Sequence, residues 1–230
     1  MIWILFLGTM SVSLWAVWRV KAVYNHYNQW EVASGLSGFD VVREILRKNA
    51  IHDVRIEMEE GLLGDHYDPI HKRLVLSEAN FYGRSPAALG VAAHECGHAI
   101  QHALAYKPLH WRMAAVGITT YANHVIMFLP LLGLFTGLIT PRGGAIVMSI
   151  AWGVVMAFNL ITLPVEFDAS RRAKEALADF GMIAPGEESE GVNKVLDAAA
   201  WTYVAAFITS FVYFLWHLLP LLLGGGRDRE

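Results

Sequence analysis

A chain of 230 residues that is 55% hydrophobic, with eight Trp and only 17% charged residues, is too apolar for an ordinary soluble domain. A net charge of -3, with no Lys/Arg run interleaved with aromatic residues, excludes the electrostatic footprint of a nucleic-acid binder. The single cysteine, Cys96, excludes an internal disulfide framework and an all-Cys zinc site, so a metal would have to be held by His and carboxylate.

From Ile2 to Trp18 the sequence carries no charge and then meets Arg19 and Lys21, which is long enough to span the hydrocarbon. A cleaved signal peptide would want a basic n-region and small residues at the cleavage position. Trp15, Val17 and Trp18 stand there instead, so an uncleaved anchor is predicted. The segment from Ser37 to Ala50 places Val41, Val42, Ile45 and Leu46 among Arg43, Glu44, Arg47 and Lys48, the spacing of an amphipathic helix. Val54 to Met58 alternates as a short strand, Gly61 to Asp68 is turn-like, and Lys72 to Leu76 reads as a second strand, together a small β-hairpin.

Ser85 followed by Pro86 is a helix start: the side-chain oxygen caps free backbone donors, and proline lacks only an N–H that would be unpaired anyway. This helix is predicted to run to about Ala105 and contains His94-Glu95-Cys96-Gly97-His98. Apolar runs over about 113–135 and 145–163, joined by a turn with Pro141 and paired glycines, read as a transmembrane hairpin, and a fourth span covers about 198–223. The tail from Gly224 is expected to be frayed.

Of the Lys and Arg residues, eleven lie between Arg19 and Arg112 and four between Arg171 and Lys194, against one in the hairpin turn and two in the tail. The positive-inside tendency then predicts both termini outside and both polar segments, about 25–112 and 164–195, in the cytoplasm. The whole of 1–230 reads as one mainly α, membrane-integrated domain, in which four spans carry an α+β polar portion. The lipid bilayer is its first partner. No motif specifies an oligomeric state.

Two histidines at i and i+4 lie one above the other on a helix face, so both imidazoles can reach one zinc ion, and the adjacent glutamate can work on water beside it. His94 and His98 are the candidate ligands and Glu95 the general base of peptide hydrolysis, which makes the polar portion a zincin-like catalytic one whose further partner is a polypeptide substrate, membrane proteins included. A catalytic zinc wants a third protein ligand. His102, at i+8, sits roughly 80° round the helix and about 12 Å along it, which is too far for the same ion. It is read as an outer neighbour or an interfacial histidine, and Gln101 as a supporting residue on the ligand face.

The third ligand is sought in Pro164-Val165-Glu166-Phe167-Asp168, because carboxylates beside a membrane span need a partner or a function. Two spans separate this segment from the histidines, so both return to one membrane face. Glu166 and Asp168 stand about 200° apart on a helix, so one of them faces the metal. Glu166 is preferred, because two histidines and one glutamate are a known catalytic set; Asp168 is the alternative ligand, or orients a histidine, or pairs with Arg171 or Arg172.

The run Asp65-His66-Tyr67-Asp68-Pro69, then Leu74 to Ser77, then Ala92 to Gln101 and Pro164 to Ser170, resembles the YugP-like family of bacterial membrane neutral zinc metallopeptidases. The resemblance covers most of the chain from about Asn25 to the last span. It implies a zinc-dependent peptidase of a bacterial plasma membrane, with His94 and His98 as ligands and Glu95 as the catalytic residue. More distantly the chain is similar to membrane peptidases in which aspartate follows the metal-binding glutamate by four residues; here that position is Ser170. His66 or Tyr67 is a candidate oxyanion stabiliser or turn-packing residue. By analogy with related zinc peptidases, Lys72 to Leu76, centred on Val75, is nominated as the edge along which substrate adds as a strand.

Two other functions compete. Cleavage within the bilayer is suggested by Asn159 and Pro164 ahead of Asp168, and a soluble reporter peptide discriminates it from an interfacial site. A non-catalytic zinc-binding membrane adaptor would need the histidines but no general base between them, so Glu95 argues for an enzyme.

Overall fold

The computed structural model describes residues 2–60 and 64–223; the turn expected at Gly61 lies partly, and the tail from Gly224 wholly, outside the described residues. Ten elements follow in chain order: α1 (Ile2–Tyr27), α2 (Gly38–Lys48), β1 (Arg55–Glu59), β2 (His66–Asp68), β3 (Arg73–Ser77), α3 (Glu78–Phe81), α4 (Pro86–Ala103), α5 (Lys107–Thr136), α6 (Pro141–Asp179) and α7 (Glu187–Leu223). The protein is mainly helical. Helices α1, α5, α6 and α7 are long and apolar enough to cross a membrane. Each extends past the apolar run that predicts it. In α6 the continuation is a good helix-former surface, with Arg171 bound to Glu175 one turn on.

The chain divides into two compact units. The apolar unit comprises the described residues through Ser13, Trp111–Leu163 and Tyr203 onward. Trp3, Leu132, Phe135 and Leu223 are among its exposed large apolar side chains, which suits a lipid solvent. The hydroxyls of Thr119 and Thr162 donate to the carbonyls of Ala115 and Phe158 in the preceding turn, so they present no unpaired donor to hydrocarbon. The Asn159 amide donates to Ala206 O and Ser210 Oγ, and Trp152 stacks on Tyr213 at 4.7 Å, tying α6 to α7.

The polar unit comprises Leu14–His110 and Pro164–Thr202. Its core joins Val41, Val42, Ile45 and Leu46 of α2, Leu74 and Leu76 of β3, the small-residue face of α4, and Ala173, Leu177 and Leu196 of α6 and α7. Helix α2 starts at a capping box: the Ser37 hydroxyl accepts from the Asp40 backbone N–H, while the Asp40 carboxylate accepts from the Ser37 N–H. Helix α4 starts as predicted, with Ser85 Oγ accepting from the Ala88 N–H at 3.1 Å and Pro86 in the first position.

The sheet differs from the expected hairpin. Its order is β1-β3-β2, with β1 parallel and β2 antiparallel to β3. The segment read as a turn supplies the third strand, because Asp65 just before it accepts from the backbone N–H and hydroxyl of Ser77 and holds β2 against β3. The hairpin partner of β3 is therefore β2. Strand β3 has neighbours on both sides and Val75 is buried, so neither edge is free to receive an added strand. The nomination of Lys72 to Leu76 as a substrate edge is corrected accordingly.

Candidate metal centre

Helix α4 and the segment of α6 from Pro164 meet at a glycine. A β-carbon on Gly97 would lie 2.5 Å from the carbonyl oxygen of Ala169, closer than any side chain tolerates. Gly97 stands between the two histidines of α4, and Ala169 stands one turn beyond Glu166, so the contact that brings the helices together also brings these three side chains together.

Among the described residues, His94, His98 and Glu166 form the group of His, Cys, Asp or Glu whose ligand atoms all lie within 4.8 Å of one another. Glu166 Oε2 is 3.2 Å from His94 Nε2 and 3.6 Å from His98 Nε2. Ligand atoms about 2.0–2.1 Å from a tetrahedral zinc stand roughly 3.3 Å apart, so these separations fit one ion with little movement. Glu166 is almost fully buried, as a carboxylate is when it has cationic company. Burial opposes a charge on His98, yet the Glu166 contact and the Glu95 charge outweigh it and raise its pKa. The centre favours positive charge.

The outer nitrogens of both rings are also held. Gln101 is fully buried, and its Nε2 donates to Val165 O at 2.7 Å and to Asp168 Oδ2 at 2.9 Å. Its Oε1 is thereby left to accept from His98 Nδ1 at 3.1 Å. With a proton held on Nδ1, Nε2 on the Glu166 side is the nitrogen available to a metal. His94 Nδ1 lies 3.1 Å from Ser170 Oγ, so the hydroxyl holds the outer nitrogen of this ring. Metal-binding histidines are oriented by such partners, so the donor set and its surroundings both fit zinc.

Of the two carboxylates weighed from the sequence, Glu166 is the one among the histidine nitrogens. Asp168 turns to Gln101, to Arg172 at 2.6 Å and to Arg171, and reaches His98 through the Gln101 amide rather than directly. Ser170 as a partner of His94 is not apparent from its residue type, although its spacing of four from Glu166 puts it on the same helix face.

Glu95 is buried beside the histidines in sequence, and its Oε2 accepts from the backbone N–H of Tyr67 at 2.9 Å. That N–H points away from β3, so the unpaired edge of β2 faces the carboxylate. The Tyr67 hydroxyl lies 2.8 Å from His102 Nδ1. Burial first, then the charges of Asp53 and Asp68, push the phenol up to about 12, so it is the donor. His102 is held below its ordinary pKa by burial and by the charges of His110 and Lys72, as a neutral acceptor would be. His66 Nδ1 is 2.6 Å from Gly64 O. Neither His66 nor His102 joins the ligand cluster.

The profile of the family described as "Putative neutral zinc metallopeptidase" matches residues 2–222. This chain belongs to that family. A relative in Bacillus subtilis (strain 168), named "Putative membrane protease YugP", is 41% identical over 224 residues, which is 97% of each chain. No solved structure matches. The family name implies zinc, and the relative's name together with four apolar helices makes this a membrane protein.

Proposed function

We propose that this protein is a zinc-dependent membrane endopeptidase, with one ion held by His94, His98 and Glu166 and with Glu95 as general base. The observation that carries the reading is the convergence of two imidazole Nε2 atoms and one buried carboxylate oxygen, with Glu95 adjacent on the same helix. Zinc, when bound, supplies a Lewis acid that polarises a peptide carbonyl and acidifies water.

The chain's own residues do the rest. Glu95 takes a proton from the attacking water on its carboxylate and returns it to the nitrogen of the leaving amine. Before reaction the Tyr67 N–H holds that carboxylate in place. The outer edge of β2 is the position for a substrate strand, in place of the paired β3, because it is the unpaired edge that faces Glu95. His66 lies on that strand and remains the candidate for the oxyanion, whereas the Tyr67 hydroxyl is committed to His102.

The substrate is a polypeptide, with membrane proteins included. The site works at the cytoplasmic face of a bacterial plasma membrane with the N-terminus outside, a reading supported by the concentration of Lys and Arg in the two polar segments. An interfacial site rather than one within the bilayer is supported by α4, which is not among the helices apolar enough to span. The test combines zinc stoichiometry with cleavage of a soluble reporter peptide by the wild type and by Glu95→Gln. Retained zinc with lost cleavage is expected. Cleavage undiminished by Glu95→Gln overturns the mechanism, and a wild type that binds zinc but cleaves no peptide favours an adaptor.

A further inference from the structure

The apolar run of α5, about 113–135, has Asn123 and His124 at its centre. Both residues are exposed. At that depth the solvent is hydrocarbon, where a polar side chain without a hydrogen-bond partner is expensive.

Elsewhere in the apolar unit two ways of pairing such groups are seen. Thr119, Thr120 and Ser149 donate to the carbonyl one turn back on their own helix. Asn159 of α6 reaches across to α7, where its amide nitrogen donates to Ala206 O at 3.1 Å and to Ser210 Oγ at 3.0 Å. Asn123 does neither: among the described residues its amide has no hydrogen-bond partner. His124 is half satisfied. Its Nδ1 lies 2.8 Å from Thr120 O, and a carbonyl only accepts, so Nδ1 donates there and Nε2 is left without a partner among the described residues. The ring stacks on Phe128. Gly117, Tyr121, His124 and Phe128 follow one another at spacings of four, three and four, so they share one face of the helix beside Asn123. All are exposed, and a β-carbon on Gly117 would meet nothing within 4 Å. A glycine there lets another helix come close.

We infer that this face of α5 is the contact between two copies of the chain, paired within the membrane through Asn123. Copies inserted in one membrane share one orientation, so a two-fold axis relating them runs along the membrane normal and each residue of α5 meets its own counterpart at the same depth. The group at the centre must therefore be self-complementary. A primary amide is: its oxygen accepts while its nitrogen donates, so two Asn123 side chains satisfy each other, and the second N–H of each amide is available to Nε2 of His124. A substrate helix would leave the amide unpaired whenever the face is empty, whereas a second copy stays. Pairing through α5 holds whether or not the metal centre hydrolyses peptides.

The test follows the full chain in phosphatidylcholine vesicles, with copies carrying a donor or an acceptor dye at the amino terminus, as protein is diluted in lipid. Energy transfer that falls with dilution as a monomer–dimer equilibrium is expected. Asn123→Leu, which removes the amide and suits lipid, should weaken the pairing about tenfold, the size of two interhelical hydrogen bonds, and Asn123→Gln should keep most of it. Circular dichroism checks that the variants keep their helix content. Because Cys96 is buried, introduced cysteines report contacts on their own. Tyr121→Cys should cross-link two copies on oxidation, and Ile150→Cys, exposed on α6, should not. Transfer no greater than random proximity gives, or pairing of equal strength in Asn123→Leu, overturns the inference. Cross-linking of Tyr121→Cys to an added single-span peptide with a cysteine, but not to a second copy, also overturns it and gives the face to another helix.

Discussion

The side-chain oxygen of Gln101 lies 3.1 Å from Nδ1 of His98, and this contact decides which nitrogen of His98 is free to bind a metal. Because the Gln101 amide nitrogen is engaged by Val165 and Asp168, both on α6, the same side chain fixes the His98 ring and the approach of the helix that carries Glu166. Gln101→Met keeps the volume and removes both functions. Zinc affinity, measured by chelator competition, is expected to fall roughly 10–100-fold. Affinity equal to wild type would mean that the ring is oriented by other contacts.

Gly97→Ala puts a methyl group where the Ala169 carbonyl oxygen stands, 2.5 Å away. The helices must move apart by part of an ångström or more, at a cost of about 1–3 kcal/mol. A lower thermal midpoint in detergent together with reduced zinc content is the expected pair of results. A variant with full zinc content and an unchanged midpoint would show that α4 and α6 do not need this approach.

Ala105 closes α4 with φ of 50°, in the left-handed region where glycine is the usual residue. Gly181 fills the equivalent place after α6, with φ of 65°. A left-handed conformation costs an L-residue roughly 1–2 kcal/mol, so Ala105→Gly should raise stability by about 1 kcal/mol. Thermal unfolding checks it; a lowered midpoint would indicate that the alanine methyl makes contacts worth more than the strain.

Asp40 provides an acid-limb prediction. Its hydrogen bond with the Ser37 side chain, followed in size by the opposing effect of burial, leaves its pKa below the ordinary carboxylate value. A depressed folded-state pKa means that the stabilisation is fully present above the unfolded value of about 3.9 and is lost as pH falls through the folded value. Asp40→Asn should therefore lower stability by about 1 kcal/mol near neutrality and by less at pH 3. Equal destabilisation at both pH values would show that the capping box does not depend on the charge.

The elements of this protein that depend on neighbours in the chain are readable in it. The apolar runs locate the four long helices, Ser85-Pro86 locates the start of α4, and the spacing of four between His94 and His98 puts them on one face, because helical periodicity is a local property. The position of Glu166 and Asp168 beside a span that returns to the same membrane face also reduces the third donor to a choice of two carboxylates. Everything that depends on long-range contacts is decided in the folded molecule. Which carboxylate faces the histidines follows from the rotation of α6, set where Ala169 meets Gly97 and where Ala173 and Leu177 enter the core. Strand order is non-local as well: β1 reaches β3 across the intervening β2, whose polar His66 and Asp68 look like a turn until Asp65 anchors them to Ser77. The residue types and spacing of His94, Glu95 and His98 are thus matters of sequence. The placing of Glu166 rather than Asp168 among the histidine nitrogens, the holding of the histidine rings by Gln101 and Ser170, and the edge of β2 beside Glu95 are matters of tertiary structure, because each needs two segments at least 28 residues apart to touch.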